Sequence, residues 1–315
     1  MANRLDPPVR IGISSCLLGE NVRYDGGHKL DPFISRILSG FFEWIPVCPE
    51  TEAGFGIPRE PMRLERHGKS ISLIGLTSRR DLTPQMRSYV RRSIPLFAHQ
   101  RLSGYILKTR SPTCGLAVAV HPGRSREPGL FARALLRRFS DLPVAEEEAL
   151  RDPLVRENWI QRVFAYYRLN RFWSTRWTVH TLREFHTSTE LTRLSHSPSL
   201  SRRLDRFTAN PQDISRLQFR CRYQSEFMRI ISCPATRAGN ATVLQRAAAI
   251  LRPFLTPAAT SEILKSLDAY RNRALPFLVP FTLVTHYLRL TKIIQLSGQT
   301  YFNPFPEELA LLNHP

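Results

Sequence analysis

Two regimes of hydrophobic spacing divide the chain. In the first half the apolar residues fall in short, nearly continuous runs separated by longer stretches with helical periodicity. Arg10–Ser15 (RIGISS), Trp44–Cys48 and Tyr105–Lys108 are such runs, and they predict three strands, the first of them buried. Between them, Asp31–Leu38 is predicted as a short helix capped by Asp31, with Pro32 in its first turn. Thr83–Arg101 is predicted as a helix with Thr83 as cap and Pro84 next, and Glu127–Phe139 as a third helix. PVAEE around Val144 predicts a last strand, and Asp152–Arg168 a long amphipathic helix that closes the domain. Strands alternating with helices predict an α/β domain: an open, mostly parallel sheet with helices on both faces.

In the second half strand signals fade. Helices are predicted over Thr178–Ser195, Asn210–Ile231, Thr236–Arg252, Thr256–Arg271 and Phe277–Leu296, an all-α helical domain. In Asn210–Ile231 the expected apolar stripe is Ile214, Leu217, Cys221, Met228 and Ile231, with Arg216, Arg220 and Arg229 off it. The domain boundary is placed near Arg168, giving domains over 1–168 and 169–315.

Charge changes the picture. Lys and Arg number 45 against 26 Asp and Glu, a formal net charge of +19, and only five of the 45 are Lys. The charge divides into +9 over 1–168 and +10 over 169–315, so the smaller C-terminal part is the denser. Arginine forks suit phosphate and stack on bases, so a polyanionic partner is expected. With 42% hydrophobic residues, a wholly disordered chain is excluded. The opening MANRLDPPVRIGI lacks the apolar core of a signal peptide. The most apolar late stretch, ALPFLVPFTLVTHYLRLTKII, holds Pro276, Pro280, His286, Arg289 and Lys292 and does not read as a membrane span. Five widely spaced cysteines do not form a secreted disulfide framework; a reducing cytoplasm is expected, where such residues more often bind metal or catalyse.

Three of the five follow the three predicted strands: Cys16 in SSCLLG, Cys48 in VCPE and Cys114 in KTRSPTCG. Loops at the carboxyl ends of parallel strands converge on one crevice, so the three could meet. A thiolate trio suits a soft metal centre, and an iron–sulfur cluster with only three cysteine ligands keeps one iron open. Glu50 and Ser111 would converge with them, a carboxylate able to activate water and a hydroxyl able to relay a proton. The plainer alternatives are three unrelated core cysteines, with Glu50 serving only as a helix N-terminal carboxylate. Zinc is a third reading, without paired CxxC or HxxxH spacing to support it.

The blocks SSCLLGENVRYDGGHK, VCPETEAGFGIPREPMRLE and YILKTRSPTCG resemble the thiouracil desulfidase family. YRNRALPFLVPFTLVTHYLRL and QTYFNPFPEELALL resemble the helical YbgA-type domain often fused to it, an architecture shared with tRNA 4-thiouridine desulfidases. The resemblance implies a 4Fe-4S cluster held by Cys16, Cys48 and Cys114, with Glu50 of the CPE motif and Ser111 of the SPxCG motif as catalytic residues. It implies hydrolytic removal of sulfur from thiolated tRNA, 4-thiouridine becoming uridine. Free thiouracil or thiolated nucleosides are the alternative substrates, and a non-enzymatic RNA-binding protein with a structural metal is a second alternative. Arg23, Tyr24 and Asp25 are candidate contacts to base or ribose, and Arg59 and Lys108 candidate partners of a phosphate or cluster-bound anion.

The C-terminal half departs from its family pattern. FHTSTEL places Thr189 and Glu190 where relatives tend to carry a His-Lys pair, and VLQRAAAILRP offers Arg246 where they carry His and an aromatic stretch. His186 and His196 remain and are expected to be structural. Tyr166, Tyr167, Phe172, Trp173 and Trp177, interleaved with Arg168, Arg171 and Arg176, read as an interdomain apolar seam or as a stacking platform for nucleic acid.

Overall fold

A computed structural model describes residues 8–309. In the first half, β1 (Val9–Ser14), β2 (Phe42–Val47), β5 (Gly104–Leu107) and β8 (Val144–Glu146) form a sheet of order β2-β1-β5-β8 with every pairing parallel. Ile11, Ile13, Tyr105, Ile106 and Leu107 are fully buried, as continuous apolar runs require. Gly12 is obligatory: a Cβ there would lie 2.3 Å from the Tyr105 ring. That ring packs on Phe131 of α4 (Leu130–Arg138), with centroids 5.8 Å apart, and Phe42 packs edge-on to Trp159 of α5 (Pro153–Ser174) at 6.0 Å. The remaining helices here are α1 (Pro49–Glu52), α2 (Thr83–Ser93) and α3 (Phe97–Gln100).

A second sheet was not expected from the spacing. β3 (Met62–His67), β4 (Ser70–Gly75), β6 (Val118–His121) and β7 (Arg126–Glu127) take the order β4-β3-β6-β7; β3 pairs antiparallel with β4 and parallel with β6. Strand β3 reads MRLERH, too charged for a buried-strand signal. Its Glu65 is buried because Arg63 and Arg79 each bond it at 2.8 Å, and Arg79 foremost holds its carboxyl down to about 2.

Several expected boundaries shift for identifiable reasons. Thr83–Arg101 is broken: α2 ends at Ser93, a 3-10 turn over Ile94–Leu96 carries Pro95, which cannot supply a helical N–H, and α3 ends at Arg101 in the left-handed region. Thr83 does not cap; its buried Oγ1 accepts from Leu73 N at 2.7 Å, while Asp81 Oδ1 takes Thr83 N at 2.9 Å. Asp31 does accept from Ile34 N, at 3.1 Å, but the turn it starts is a π turn over Phe33–Ile37. The helix expected from Glu127 starts at Leu130, because Arg126–Glu127 pairs with β6.

The chain divides into two compact units between Tyr167 and Arg168, within α5, and residues 307–309 group with the first. The second unit is helical: α6 (Val179–Ser188), α7 (Glu190–His196), α8 (Pro198–Thr208), α9 (Arg216–Ser232), α10 (Arg237–Leu251), α11 (Pro257–Arg271), α12 (Leu278–Thr291) and α13 (Ile294–Ser297). Thr178, Thr236 and Thr256 accept amide N–H bonds at the starts of α6, α10 and α11, as their sequence positions suggest. Val243, Leu244, Ala247, Ile263, Leu267, Val284 and Leu288 form one core cluster. Two expected helices are divided, at Thr189 and at the left-handed Lys292. The stripe expected for α9 holds only at its C-terminal end: Met228 and Ile231 are buried, but Leu217 and Cys221 are exposed, and the buried face runs instead through Phe219, Tyr223, Phe227 and Ile230. Aromatic contact decides it, since Tyr223 stacks on Phe219 and Phe227 and meets Trp173 edge-on.

Candidate active site

The three cysteines stand at the carboxyl ends of three neighbouring strands. Cys16 lies in the 3-10 turn Ser15–Leu18 directly after β1, Cys48 follows β2 and caps α1, and Cys114 lies in the loop after β5. All three are free thiols; Cys16 and Cys114 are buried and Cys48 is half-buried. The chain reverses at Gly19 (φ 95°), and Lys29 N then donates to Cys16 O at 2.9 Å and Asp31 N to Leu17 O at 3.0 Å. The loop carrying Arg23 to Asp25 is thereby anchored on the Cys16 turn.

Glu50 joins these loops. Placed by Pro49 in the first turn of α1, it reaches across to the Cys114 loop: Thr113 Oγ1 donates to Glu50 Oε1 at 2.7 Å, and Ser111 Oγ to the same oxygen at 3.3 Å. Arg59 Nε donates to Glu50 Oε2 at 3.0 Å. The same guanidinium donates to Val22 O at 3.0 Å and to Gly56 O at 3.0 Å, so one arginine ties the Cys16 loop to the Cys48 helix. Its side chain is 5% exposed, and it meets Glu50, not solvent. Cys48 Sγ lies 3.2 Å from Thr51 Oγ1 and 3.7 Å from Val22 O.

The Cys114 loop is braced from the last strand by three consecutive glutamates. Glu146 accepts Leu116 N at 2.7 Å, Glu147 accepts Thr109 N at 2.7 Å and Thr109 Oγ1 at 2.9 Å, and Glu148 pairs with Arg110. Lys108 is paired with buried Glu147. Ser111 Oγ accepts the amides of Thr113 at 3.3 Å and Cys114 at 3.1 Å, a local turn that holds the hydroxyl at the loop's inner edge.

Burial pushes the Cys16 thiol up to about 12, with Cys48 adding to the shift and Lys108 opposing it. Burial, then Glu50, pushes Cys114 to about 12 as well, with Cys48 contributing. Cys48 thus lies within electrostatic reach of each of the other two thiols. Among the described residues no three His, Cys, Asp or Glu side chains are grouped to hold a single metal ion. A cubane cluster makes a different demand, since each thiolate binds a different iron and the cage holds the sulfurs apart. Three free, soft donors on one sheet edge fit such a group. The Tyr105 hydroxyl, buried without a hydrogen-bond partner among the described residues, lies within electrostatic reach of Cys114.

Of the other expected contacts, Tyr24 is 41% exposed with Arg23 over its ring at 5.4 Å, and Arg23 lies 3.4 Å from Asp25. In the second unit, His186 Nε2 faces Asp205 at 2.9 Å and Arg193 at 3.1 Å, and Glu190 pairs with Arg246 at 2.8 Å, two of the positions that depart from the family pattern. Trp173 and Trp177 belong to the aromatic core there, and Arg216 covers Trp177 at 4.5 Å. Sequence reasoning missed Thr113 and the Glu146–Glu148 brace. The signal for the brace was present, as a run of three carboxylates in a basic chain at a strand end.

Comparison with known proteins follows the same division. Residues 11–147 match the family described as 2-thiouracil desulfurase, and residues 191–306 match a protein family of unknown function, DUF1722. The uncharacterized protein YbgA of Escherichia coli (strain K12) is 28% identical over 151 residues, 48% of this chain and 89% of its own. The uncharacterized protein YbbK of Bacillus subtilis (strain 168) is 30% identical over 108 residues, 33% of this chain and 71% of its own. Among solved structures, the [4Fe-4S]-dependent thiouracil desulfidase TudS is similar at 28% identity and a TM-score of 0.38, over 46% of this chain and 94% of its own. With one family over its α/β half and the other over its helical half, the chain belongs to the two-domain family that joins a 2-thiouracil desulfurase domain to a DUF1722 domain.

Proposed function

We propose that this protein is a hydrolytic desulfidase that converts 4-thiouridine in tRNA to uridine, using a 4Fe-4S cluster held by Cys16, Cys48 and Cys114. The observation that carries the reading is the Glu50 carboxylate bonded across to Ser111 at 3.3 Å, between the loops that bear the cysteines. The net reaction exchanges thiocarbonyl sulfur for water oxygen and releases sulfide. When bound, the cluster would supply a soft iron corner for the substrate's sulfur. Glu50 would take a proton from the attacking water, and Ser111, whose hydroxyl donates to that carboxylate, would relay a proton there. Arg59, spent on Glu50 and two carbonyls, orients that carboxylate; Lys108, spent on Glu147, orients the loop.

The substrate's size is argued from charge. A net +19, nearly all arginine, suits a polyanion better than a free base. In the second unit the exposed Arg216 and Arg222 lie over Trp177 and Phe207, at 4.5 and 4.4 Å, and offer positive charge to phosphate. Among the described residues no helix is long and apolar enough to cross a membrane, and free thiols suit a reducing cytoplasm.

The test is iron and sulfide analysis of anaerobically reconstituted protein, then nucleoside analysis of treated tRNA, with free 4-thiouridine and free thiouracil in parallel. Loss of 4-thiouridine from tRNA with slow turnover of the free nucleoside is the expected result. Equal turnover would move the substrate to the free nucleoside, activity on free thiouracil alone would move it to the base, and iron-loaded protein inactive on all three would remove the desulfidase reading.

A further inference from the structure

Thr113 has no assigned role, yet its side chain touches Glu50, Ser111 and Cys114 at once. It is fully buried, with Oγ1 at 2.7 Å from Glu50 Oε1, 3.0 Å from Ser111 Oγ and 3.6 Å from Cys114 Sγ. A hydroxyl has one proton to give. The carboxylate is both the closest and the strongest acceptor, so the Thr113 proton goes to Glu50 and the Thr113 lone pairs face Ser111. Ser111 Oγ already accepts the amides of Thr113 and Cys114. Its own proton therefore leaves on the opposite side, where Thr113 Oγ1 and Glu50 Oε1 both stand.

The scaffold, not Glu50, sets where Thr113 sits. Its carbonyl accepts the amides of Phe131 at 3.0 Å and Ala132 at 3.1 Å, in the first turn of α4. The approach is possible because residue 129 is glycine; a Cβ there would come within 2.4 Å of Thr113 O. Glu50, by contrast, is on a four-residue helix belonging to another loop.

We propose that Thr113 is a positioning residue: its hydroxyl pins Glu50 Oε1 to the Cys114 loop and fixes the direction of the Ser111 proton. This rests on the desulfidase reading for its kinetic consequence, though not for its geometry. Thr113→Val keeps the branched shape and removes the proton; Thr113→Ser keeps the proton and removes a methyl. In the full-length, reconstituted protein, Thr113→Val is expected to hold wild-type iron and lose about 10–100-fold in kcat with KM unchanged, since small misplacement of a catalytic group costs on that order. Thr113→Ser is expected within about threefold of wild type. A crystal structure of Thr113→Val is expected to show the Glu50 Oε1–Ser111 Oγ separation, 3.3 Å here, opened beyond hydrogen-bond reach. A Thr113→Val protein with wild-type kcat, one whose turnover falls only as its iron falls, or one with that separation unchanged overturns the proposal. Iron-loaded wild-type protein that desulfurises none of tRNA, nucleoside and thiouracil sinks the functional reading instead, and the crystallographic separation then decides the placement alone.

Discussion

Arg59 and Glu50 form a buried ion pair, Nε to Oε2 at 3.0 Å, with the two side chains 5% and 12% exposed. The sequence made Arg59 a candidate partner of a phosphate or a cluster-bound anion; the anion it meets belongs to the protein. Removing one partner of a buried pair leaves the other charge desolvated and alone. Arg59→Ala is therefore expected to cost about 3 kcal/mol in denaturant unfolding, at the low end because Thr113 and Ser111 still bond the carboxylate. Arg59→Lys restores charge without the fork and is expected to recover stability more than turnover, because an ammonium cannot hold Glu50, Val22 and Gly56 together. Wild-type turnover in Arg59→Ala would remove its orienting role.

Ligand and catalyst should separate. Replacing Cys16, Cys48 or Cys114 by Ala is expected to abolish iron binding and activity together, whereas Cys221→Ala and Cys233→Ala retain both. Ser111→Ala and Glu50→Gln are expected to retain iron and lose turnover. Iron and sulfide content beside initial rates reads the difference; a Ser111→Ala protein devoid of iron would show that the division between holding and reacting is misplaced.

Binding of thiolated tRNA should weaken steeply with salt. If about 6–10 phosphates are contacted, affinity falls about 10³–10⁵-fold between 50 and 200 mM monovalent salt, with the slope reporting the number of counterions released. Filter-binding or anisotropy titration over that range checks it, and a flat profile would remove the electrostatic case for an RNA substrate.

The helical unit carries its own pH dependence. Burial, with Arg193 adding to it, holds His186 down to about 4 from an ordinary 6.5, while Asp205 opposes. The groups facing it are Arg193, Asp205, Tyr223 and Thr208. Below about 6.5 the unfolded chain takes up a proton that the folded chain refuses, so this contribution is complete above 6.5 and lost as pH falls towards 4. The loss approaches ~3 kcal/mol. Denaturant unfolding at pH 7, 5.5 and 4.5 should show it, and His186→Gln should flatten that part of the profile; an unchanged slope in the variant would assign the loss elsewhere.

The parallel sheet was legible because its strands are short apolar runs, and the cysteines were legible because Cys16 and Cys48 follow such runs directly and Cys114 lies in the loop after a third. The second sheet was not, since β3 buries Glu65 by pairing it with Arg79, a partner supplied by folding and invisible to hydrophobic periodicity. In α9 two stripes competed, one with Leu217 and Cys221 and one with Phe219, Tyr223 and Phe227. Stacking of the rings against one another and Trp173 decided it, and that partner is remote in sequence. Glu50 and Ser111 stood out by their motifs, whereas Thr113 looked like a small packing residue until its hydroxyl was seen against the carboxylate.

The run Glu146 to Glu148 has a consequence for motion. Loops ordinarily breathe independently of the sheet they leave, but this one is latched at Leu116, at Lys108 and Thr109, and at Arg110 to the end of β8. To swing outward it would have to release every latch at once, or carry the edge strand with it. The amides of Thr109 and Leu116 should therefore exchange with deuterium on the timescale of sheet opening, and the segment bearing Ser111 and Cys114 should behave as rigid furniture of the sheet.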